Sequence, residues 1–454
     1  MPKIEGSIAV KESASEAQKI IPKSPKIGII GLGYVGLPLA VAFSCEHSVI
    51  GYDIDKIRVD ELQTGYDRTS EVSNTELSAD KLNFSSNAGD LVEVDVFLLA
   101  LPTPVDSARE PDLSILICGC QTVGEAILSM PHEKCPTVVI ESTVYPGVTE
   151  DICGPEIERA SRRKAGEGFF LGYSPERVNP GDKEHALTRI VKVVAGQCQQ
   201  VADELAELYE RGAGANVFIA RDIRTAEAAK VIENAQRDLN IAFINEIAMI
   251  FKRGGLSVHD VLETAQTKWN FLPFQPGLVG GHCIGVDPYY LTRYAKSVGH
   301  RPETILAGRR INDNMGTFIA QEIDNALTDG NPTAGKPTRI LVLGLTFKED
   351  VPDIRNTKVI DVVRGLEAFG NQVDVHDPIA DPELAKATYG VDLVSLDGDV
   401  GRYDCVVGAV RHHAFRMMSP QKVFDLLTPG GLLADVKGMW RTWELPEGLR
   451  IWSL

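Results

Sequence analysis

Short apolar runs alternate along this chain with longer stretches in which apolar residues recur every three or four positions, the pattern of strands set between helices. Lys26 to Ile30 is the first run, and it flows into Gly31-Leu32-Gly33-Tyr34-Val35-Gly36. A helical stretch of small residues, Leu37 to Ser44, and a second strand, Ser48 to Tyr52, end at Asp53. Val94 to Ala100, Thr137 to Glu141 and Phe169 to Tyr173 read as further buried strands, with helical patterns between most of them. Strands alternating with helices predict a mainly parallel sheet covered on both faces. This first domain is expected over 25–218, behind a polar, loosely attached extension, 1–24.

From Thr225 to Arg253 the pattern becomes helical throughout, with no Gly or Pro until Gly254. That predicts one spine helix, longer than the usual range, with a face available to a second subunit. A loop-rich insert, Thr267 to Pro288, and another helix, about Glu303 to Ala326, complete a helical central domain over 219–330. A polar linker, Asp329 to Pro337, leads to a second alternating unit over 331–454. Its predicted elements are a strand at Arg339 to Leu345, a helix at Asn356 to Phe369 and a strand at Gln372 to His376, which ends at Asp377. Two more strands are expected at Asp404 to Ala409 and Gly431 to Asp435. The fold class is therefore α/β: two Rossmann-like doubly wound domains joined by a helical domain. The second half repeats the layout of the first, but its Gly344-Leu345-Thr346 turn lacks the three glycines, so it is expected to take a different ligand.

The 454 residues carry 46 Lys and Arg against 63 Asp and Glu, a formal charge of −17. That balance argues against nucleic acid or an anionic membrane surface as the main partner. No apolar stretch reaches the length of a membrane-spanning helix, the N-terminus lacks a secretory pattern, and the eight cysteines show neither zinc nor redox spacing. No metal is expected, and the reducing cytoplasm is the expected compartment.

Gly31, Gly33 and Gly36 follow a strand and open a helix, the context in which such a pattern signals a dinucleotide site. The first permits a tight turn, the second admits the pyrophosphate, and the third lets helix and strand pack closely. Amides near Tyr34 and Val35 would face the phosphates. Asp53 lies where a carboxylate accepts from both ribose hydroxyls and repels a 2′-phosphate, so NAD is preferred to NADP. Arg58 either meets the adenosine end or is an exposed helix residue. The densest chemical candidate is Gly280-Gly281-His282-Cys283-Ile284-Gly285-Val286-Asp287-Pro288. Cys283 sits in a polar, glycine-rich break. Its thiolate would convert an aldehyde to a thiohemiacetal and, on a second oxidation, to a thioester. His282 reads more readily as a packing residue than as a base.

GLGYVGLPLA, PTP at 102–104, ESTVYPG at 141–147, YSPERVNPG at 173–181, AEAAKVIENAQRDLNIAFINE at 226–246, PGLVGGHCIGVDPYYL at 276–291 and LGLTFKEDVPDIRNT at 343–357 together resemble the UDP-sugar 6-dehydrogenases, over nearly all of 26–440. The resemblance implies oxidation of the C6 alcohol of a nucleotide sugar to a carboxylate, with two NAD reduced per turnover. It implies that Cys283 is the nucleophile, and that Lys230 and Asn234 handle the substrate oxygen. Asp287 and Glu176 would order water during thioester hydrolysis. Thr103, Thr143 and Arg355 would lie on the cofactor side. Arg177, Val178, Arg237 and Gly280 would contact the sugar, and Lys348 and Lys437 the UDP end.

The SPER block and KWNFLPFQPGLVGGHC look most like enzymes acting on UDP-N-acetylgalactosamine or UDP-N-acetylglucosamine in bacterial surface polysaccharide synthesis. The C4 epimers are not separated by the sequence, and UDP-glucose and UDP-N-acetylmannosamine stay open as alternatives. A reading of another class, a catalytically silent regulator on this scaffold, predicts a lost Cys, Lys or Asn. All three are present. The family pattern and the spine helix imply a homodimer or higher homo-oligomer.

Overall fold

The computed structural model describes residues 19–69, 71–177, 190–281, 284–329, 337–398 and 401–454. The apolar runs of the first half become β1 (Lys26–Ile30), β2 (Ser48–Tyr52), β3 (Leu82–Ser85), β4 (Val96–Leu99), β5 (Thr137–Ile140), β6 (Phe170–Tyr173), β7 (Val191–Gly196) and β8 (Asn216–Ile219). They form one sheet in the order β3-β2-β1-β4-β5-β6-β7-β8. Neighbours pair in parallel except β6 and β7, which run antiparallel. The chain steps one way from β1 to β3 and the other way from β4 onward. The loops leaving β1 and β4 therefore diverge and open a crevice at the carboxyl edge.

The second half builds β9 (Arg339–Leu343), β10 (Gln372–His376), β11 (Tyr403–Gly408), β12 (Leu427–Asp435) and β13 (Arg450–Ser453), all parallel, in the order β10-β9-β11-β12-β13. The two halves share a turn at atomic detail. Gly31 N donates to Tyr52 O at 2.8 Å in one, and Gly344 N to His376 O at 2.7 Å in the other. Both glycines have φ near +100° (+95° and +101°), which side-chain-bearing residues rarely adopt.

Between the sheets runs the spine helix, Ile223–Arg253, 31 residues long. It starts two residues before the expected Thr225 because the Asp222 side chain caps it, accepting from Thr225 N at 2.7 Å. Val258–Gln266, Asp287–Ser297 and Glu303–Thr328 complete the central helices. The insert expected to be loop as far as Pro288 instead enters a helix at Asp287. Pro288 sits in that helix's first turn, where its missing N–H costs nothing. The helix expected from Asn356 starts only at Val359, because Asn356 has a left-handed φ of +52°. Ile21 is buried, and the amides of Ile20 and Ile21 donate to Glu204 at 3.2 and 2.6 Å. Residues 19–24 thus dock on the helix Gln199–Gly212, unlike the loosely attached segment expected there. No helix among the described residues is long and apolar enough to cross a membrane.

Candidate active site

The glycine turn at the carboxyl end of β1 has three distinct steric environments. A Cβ on Gly36 would lie 1.8 Å from Gly31 O, and one on Gly31 would lie 2.8 Å from Ala100 O; a Cβ on Gly33 would meet nothing within 4 Å. Two glycines are thus required by packing, and the third faces open space of the kind a pyrophosphate needs. No side chain caps the helix that follows Val35, so its first turn is left to a ligand. Asp53, at the end of β2, accepts from Leu32 N and Asp55 N, each at 2.9 Å, which fixes its carboxylate at the mouth of the turn. The residues present fit a dinucleotide.

Arg58 is not the exposed helix residue of the second reading: it is 5% exposed. Its Nε donates to Leu32 O at 3.0 Å and its guanidinium meets Asp67 at 2.7 Å, so it braces the turn from behind. Across the crevice, the Arg355 guanidinium lies 4.5 Å from the centre of the Tyr34 ring and pairs with Asp353 at 2.6 Å. The second half thereby touches the cofactor turn of the first. Thr103 Oγ1 donates to Thr143 O at 2.8 Å, and Tyr290 OH donates to Thr103 O at 2.6 Å. These bonds tie the loops after β4 and β5 to the helix that begins at Asp287.

Lys230, Asn234, Arg237 and Ile241 follow one another at spacings of four, three and four, so they share one face of the spine helix. That face lines a cavity of about 490 Å³. Leu278 to Gly281 and Ile284 form a second wall, and Phe347, Lys348, Glu349, Arg355 and Lys437 form the third. Asn234 Nδ2 donates to Asp287 Oδ2 at 2.6 Å. Asp287 and Lys230 are both buried, at 3% and 7% exposure. Burial pushes the Asp287 carboxyl up to about 6, and Lys230 and Asn234 pull against that rise. Lys230 is accordingly not a solvated helix charge. Cys283 and Val178 lie outside the described residues, as does His282.

Arg177 reaches the same cavity but is held by Glu233 at 2.8 Å and by Val191 O at 2.8 Å. Glu176 accepts from Arg177 N at 2.7 Å and stands 3.4 Å from Lys192 Nζ. Lys192 is an ammonium with no exposed surface. It lies 2.5 Å from Glu141 and donates to Pro175 O at 3.2 Å, and Tyr209 OH donates to the same Glu141. Burial raises the Glu141 carboxyl to about 7 against the pull of Lys192. Glu227, one turn before Lys230, is also fully buried and accepts from Gly147 N at 2.6 Å and Thr149 N at 2.9 Å. Sequence reasoning assigned none of Glu141, Lys192, Tyr209 and Glu227. The one available signal was Lys192 itself, a single charge inside the apolar run of β7.

At the far end of the cavity Lys437 is partly buried, and its ammonium is pushed down by burial, with Glu349 opposing and Arg411 adding to the shift. Lys348, Arg355 and Lys437 therefore gather positive charge in a chain that is acidic overall, as a diphosphate requires. Among the described residues no group of three or more His, Cys, Asp or Glu is placed to hold a metal ion.

Three family models match the chain: the NAD-binding, central and UDP-binding domains of the UDP-glucose/GDP-mannose dehydrogenase family, over residues 25–212, 224–314 and 341–442. The chain is 48% identical to protein CapL of Staphylococcus aureus, covering 94% of this chain and 99% of that one. It is 47% identical to a UDP-N-acetyl-D-glucosamine 6-dehydrogenase of Pseudomonas aeruginosa, with 91% and 97% covered. The solved UDP-D-ManNAc dehydrogenase of Pyrococcus horikoshii superposes with a TM-score of 0.83 at 30% identity, over 94% of this chain and 98% of that one. With the dinucleotide turn, the cationic cavity and all three domains in register, the chain belongs to the UDP-glucose/GDP-mannose dehydrogenase family and is an NAD-dependent UDP-sugar dehydrogenase.

Proposed function

We propose that the protein oxidises C6 of UDP-N-acetylglucosamine to the carboxylate, with two NAD reduced per sugar, to supply a uronic acid for surface polysaccharide. The observation that carries this reading is one cavity that joins Lys230 and Asn234, the latter bonded to the buried Asp287, to the cations of the second Rossmann-like domain. The similarity to the Pseudomonas aeruginosa enzyme favours the glucosamine epimer, which the residues alone left open.

NAD, when bound at Gly31 to Gly36 and Asp53, supplies the hydride acceptor. The chain's own groups do the rest. Lys437 and Lys348 hold the diphosphate, and Arg177, Arg237 and Gly280 border the sugar. Lys230 presents its ammonium to the C6 oxygen and stabilises the alkoxide as the hydroxyl gives its proton to water. After the first two-electron oxidation, the Cys283 thiolate adds to the aldehyde carbon, and the carbonyl oxygen takes up the negative charge opposite Lys230. The second two-electron oxidation leaves a thioester. Asp287, with Glu176 helping to order the water, accepts a proton from that water as it adds to the thioester carbon, which cleaves the carbon–sulfur bond and returns the thiolate. Asn234 keeps Asp287 aimed through its 2.6 Å bond.

Ile232, Phe243 and Ile250 are exposed on the spine helix at spacings of eleven and seven, so they share one face. We infer that this face meets a second copy in a homodimer. The test of the substrate reading is a panel of UDP-N-acetylglucosamine, UDP-N-acetylgalactosamine and UDP-glucose with NAD, following NADH. The highest kcat/KM is expected for the first. A preference for UDP-glucose would overturn the substrate, and NADH from none of them would favour a silent regulator.

A further inference from the structure

Asn245 lies on the spine helix one turn beyond Ile241, on a face that turns away from solvent, with no exposed surface. Its carboxamide meets both backbone groups of Gly277: Oδ1 accepts from Gly277 N at 2.7 Å, and Nδ2 donates to Gly277 O at 3.0 Å. Nδ2 also donates to Asn312 Oδ1 at 2.8 Å. Asn312 in turn donates to Asp238 Oδ1 at 2.7 Å and Asp238 O at 3.0 Å, which commits its own oxygen to Asn245. The orientation of the Asn245 amide is thus dictated by its neighbours. Arg309 closes the chain with a 2.6 Å bond to Asp238. Every member is at most 2% exposed.

This buried network grips the loop at the point where it enters the cavity. Gly277 has φ +143°, and a Cβ there would lie 3.1 Å from Lys437 Nζ. Four residues on, a Cβ at Gly281 would lie 2.6 Å from the Phe347 ring, and one at Gly280 would lie 2.8 Å from Asn356 O. The loop is therefore pressed between the spine helix and the second Rossmann-like domain, with no slack on the domain side. We propose that Asn245 is a positioning residue: its clasp on Gly277 sets the depth at which the Gly277–Gly281 loop and Lys437 meet the UDP half of the substrate. This rests on the UDP-sugar reading of the cavity and adds to it a residue that touches neither substrate nor cofactor.

Asn245→Leu keeps the volume and removes the clasp, and Ile244→Ala removes a neighbouring core side chain that offers the loop no hydrogen bond. Calorimetry with UDP alone and with NAD alone separates the effects, with hydrogen exchange over 274–281 as the reporter of the clasp. For Asn245→Leu the exchange rises, UDP affinity falls about tenfold, the scale of losing a buried hydrogen bond, and NAD affinity is unchanged. KM for the UDP-sugar rises in proportion. For Ile244→Ala the melting temperature falls and UDP affinity holds. UDP binding at wild-type strength in Asn245→Leu, or equal losses of UDP and NAD affinity in both variants, would overturn the proposal. Failure of the UDP-sugar reading itself would show separately, in a wild-type protein that reduces no NAD with any UDP-hexose.

Discussion

Asp287 has the burial of a core residue, yet it sits beside Lys230 and Asn234 on the cavity side of the spine helix, where we propose it acts as the base. With its carboxyl raised from 3.8 to about 6, it is a neutral acid below that pH and a base above it. We expect the rate of carboxylate formation to fall about tenfold per pH unit below pH 6. Asp287→Asn should abolish that acid limb and lower the plateau by about 10²-fold or more; an unchanged limb in the variant would remove Asp287 from the role of base. Glu227 makes a separate prediction about stability. Its carboxyl is raised by burial from 4.5 to about 7, so between those values the folded chain holds a proton that the unfolded chain has lost. Its contribution is therefore fully present below about 4.5 and is lost as the pH rises toward 7. In Glu227→Gln one amide N–H would face a backbone N–H of Gly147 or Thr149, so the variant is less stable, by about 1–2 kcal/mol. Its melting temperature should also change less between pH 5 and pH 8 than that of the wild type. Parallel pH curves for the two proteins would contradict the assignment.

At the scale of elements, the glycine turn is where sequence and structure agree most closely, because its requirements are steric and local. Gly31 and Gly36 admit no side chain, and Gly33 faces open space. Gly33→Val should therefore fold with an unchanged melting temperature and raise KM for NAD about tenfold or more, read by steady-state kinetics; an unaltered KM would move the pyrophosphate elsewhere. β1, β2 and β10 were legible to the residue because their ends are marked in the sequence: a glycine turn follows β1, and an aspartate follows β2 and β10. β7 was not, since the alternation it shows is interrupted by a Lys192 whose partners lie 51 and 16 positions away. β8 was hidden for the opposite reason: Phe218 is 61% exposed and Ile219 37%, so no buried face stood out. The helix starting at Asp287 was masked by the glycines and proline before it. Lys230 and Asn234 were readable through the matching helix block, whereas Asn245 in the same block carries no local sign of its clasp, which needs Gly277 and Asn312 beside it. Glu227 and Glu141 were invisible for the same reason: only the fold reveals what they accept from.

Across the whole molecule, the site exists only where three units meet. The spine helix supplies Lys230, Asn234 and Arg237, the first sheet supplies the dinucleotide turn, and the second supplies Lys348, Arg355 and Lys437. Arg355 spans the two sheets through the Tyr34 ring. Arg355→Ala should therefore raise KM for NAD without changing the affinity for UDP alone, and a variant that loses UDP instead would place Arg355 on the other ligand. The exposed Ile232, Phe243 and Ile250 face gives a test of assembly: Phe243→Arg should shift the protein to a monomer in sedimentation, while a wild-type profile would exclude that face. The most direct test of the account as a whole is electron stoichiometry. Purified protein with limiting UDP-N-acetylglucosamine and excess NAD should release two NADH for each sugar consumed and yield the uronic acid. One NADH per sugar with an aldehyde product, or no turnover of this sugar, would contradict it.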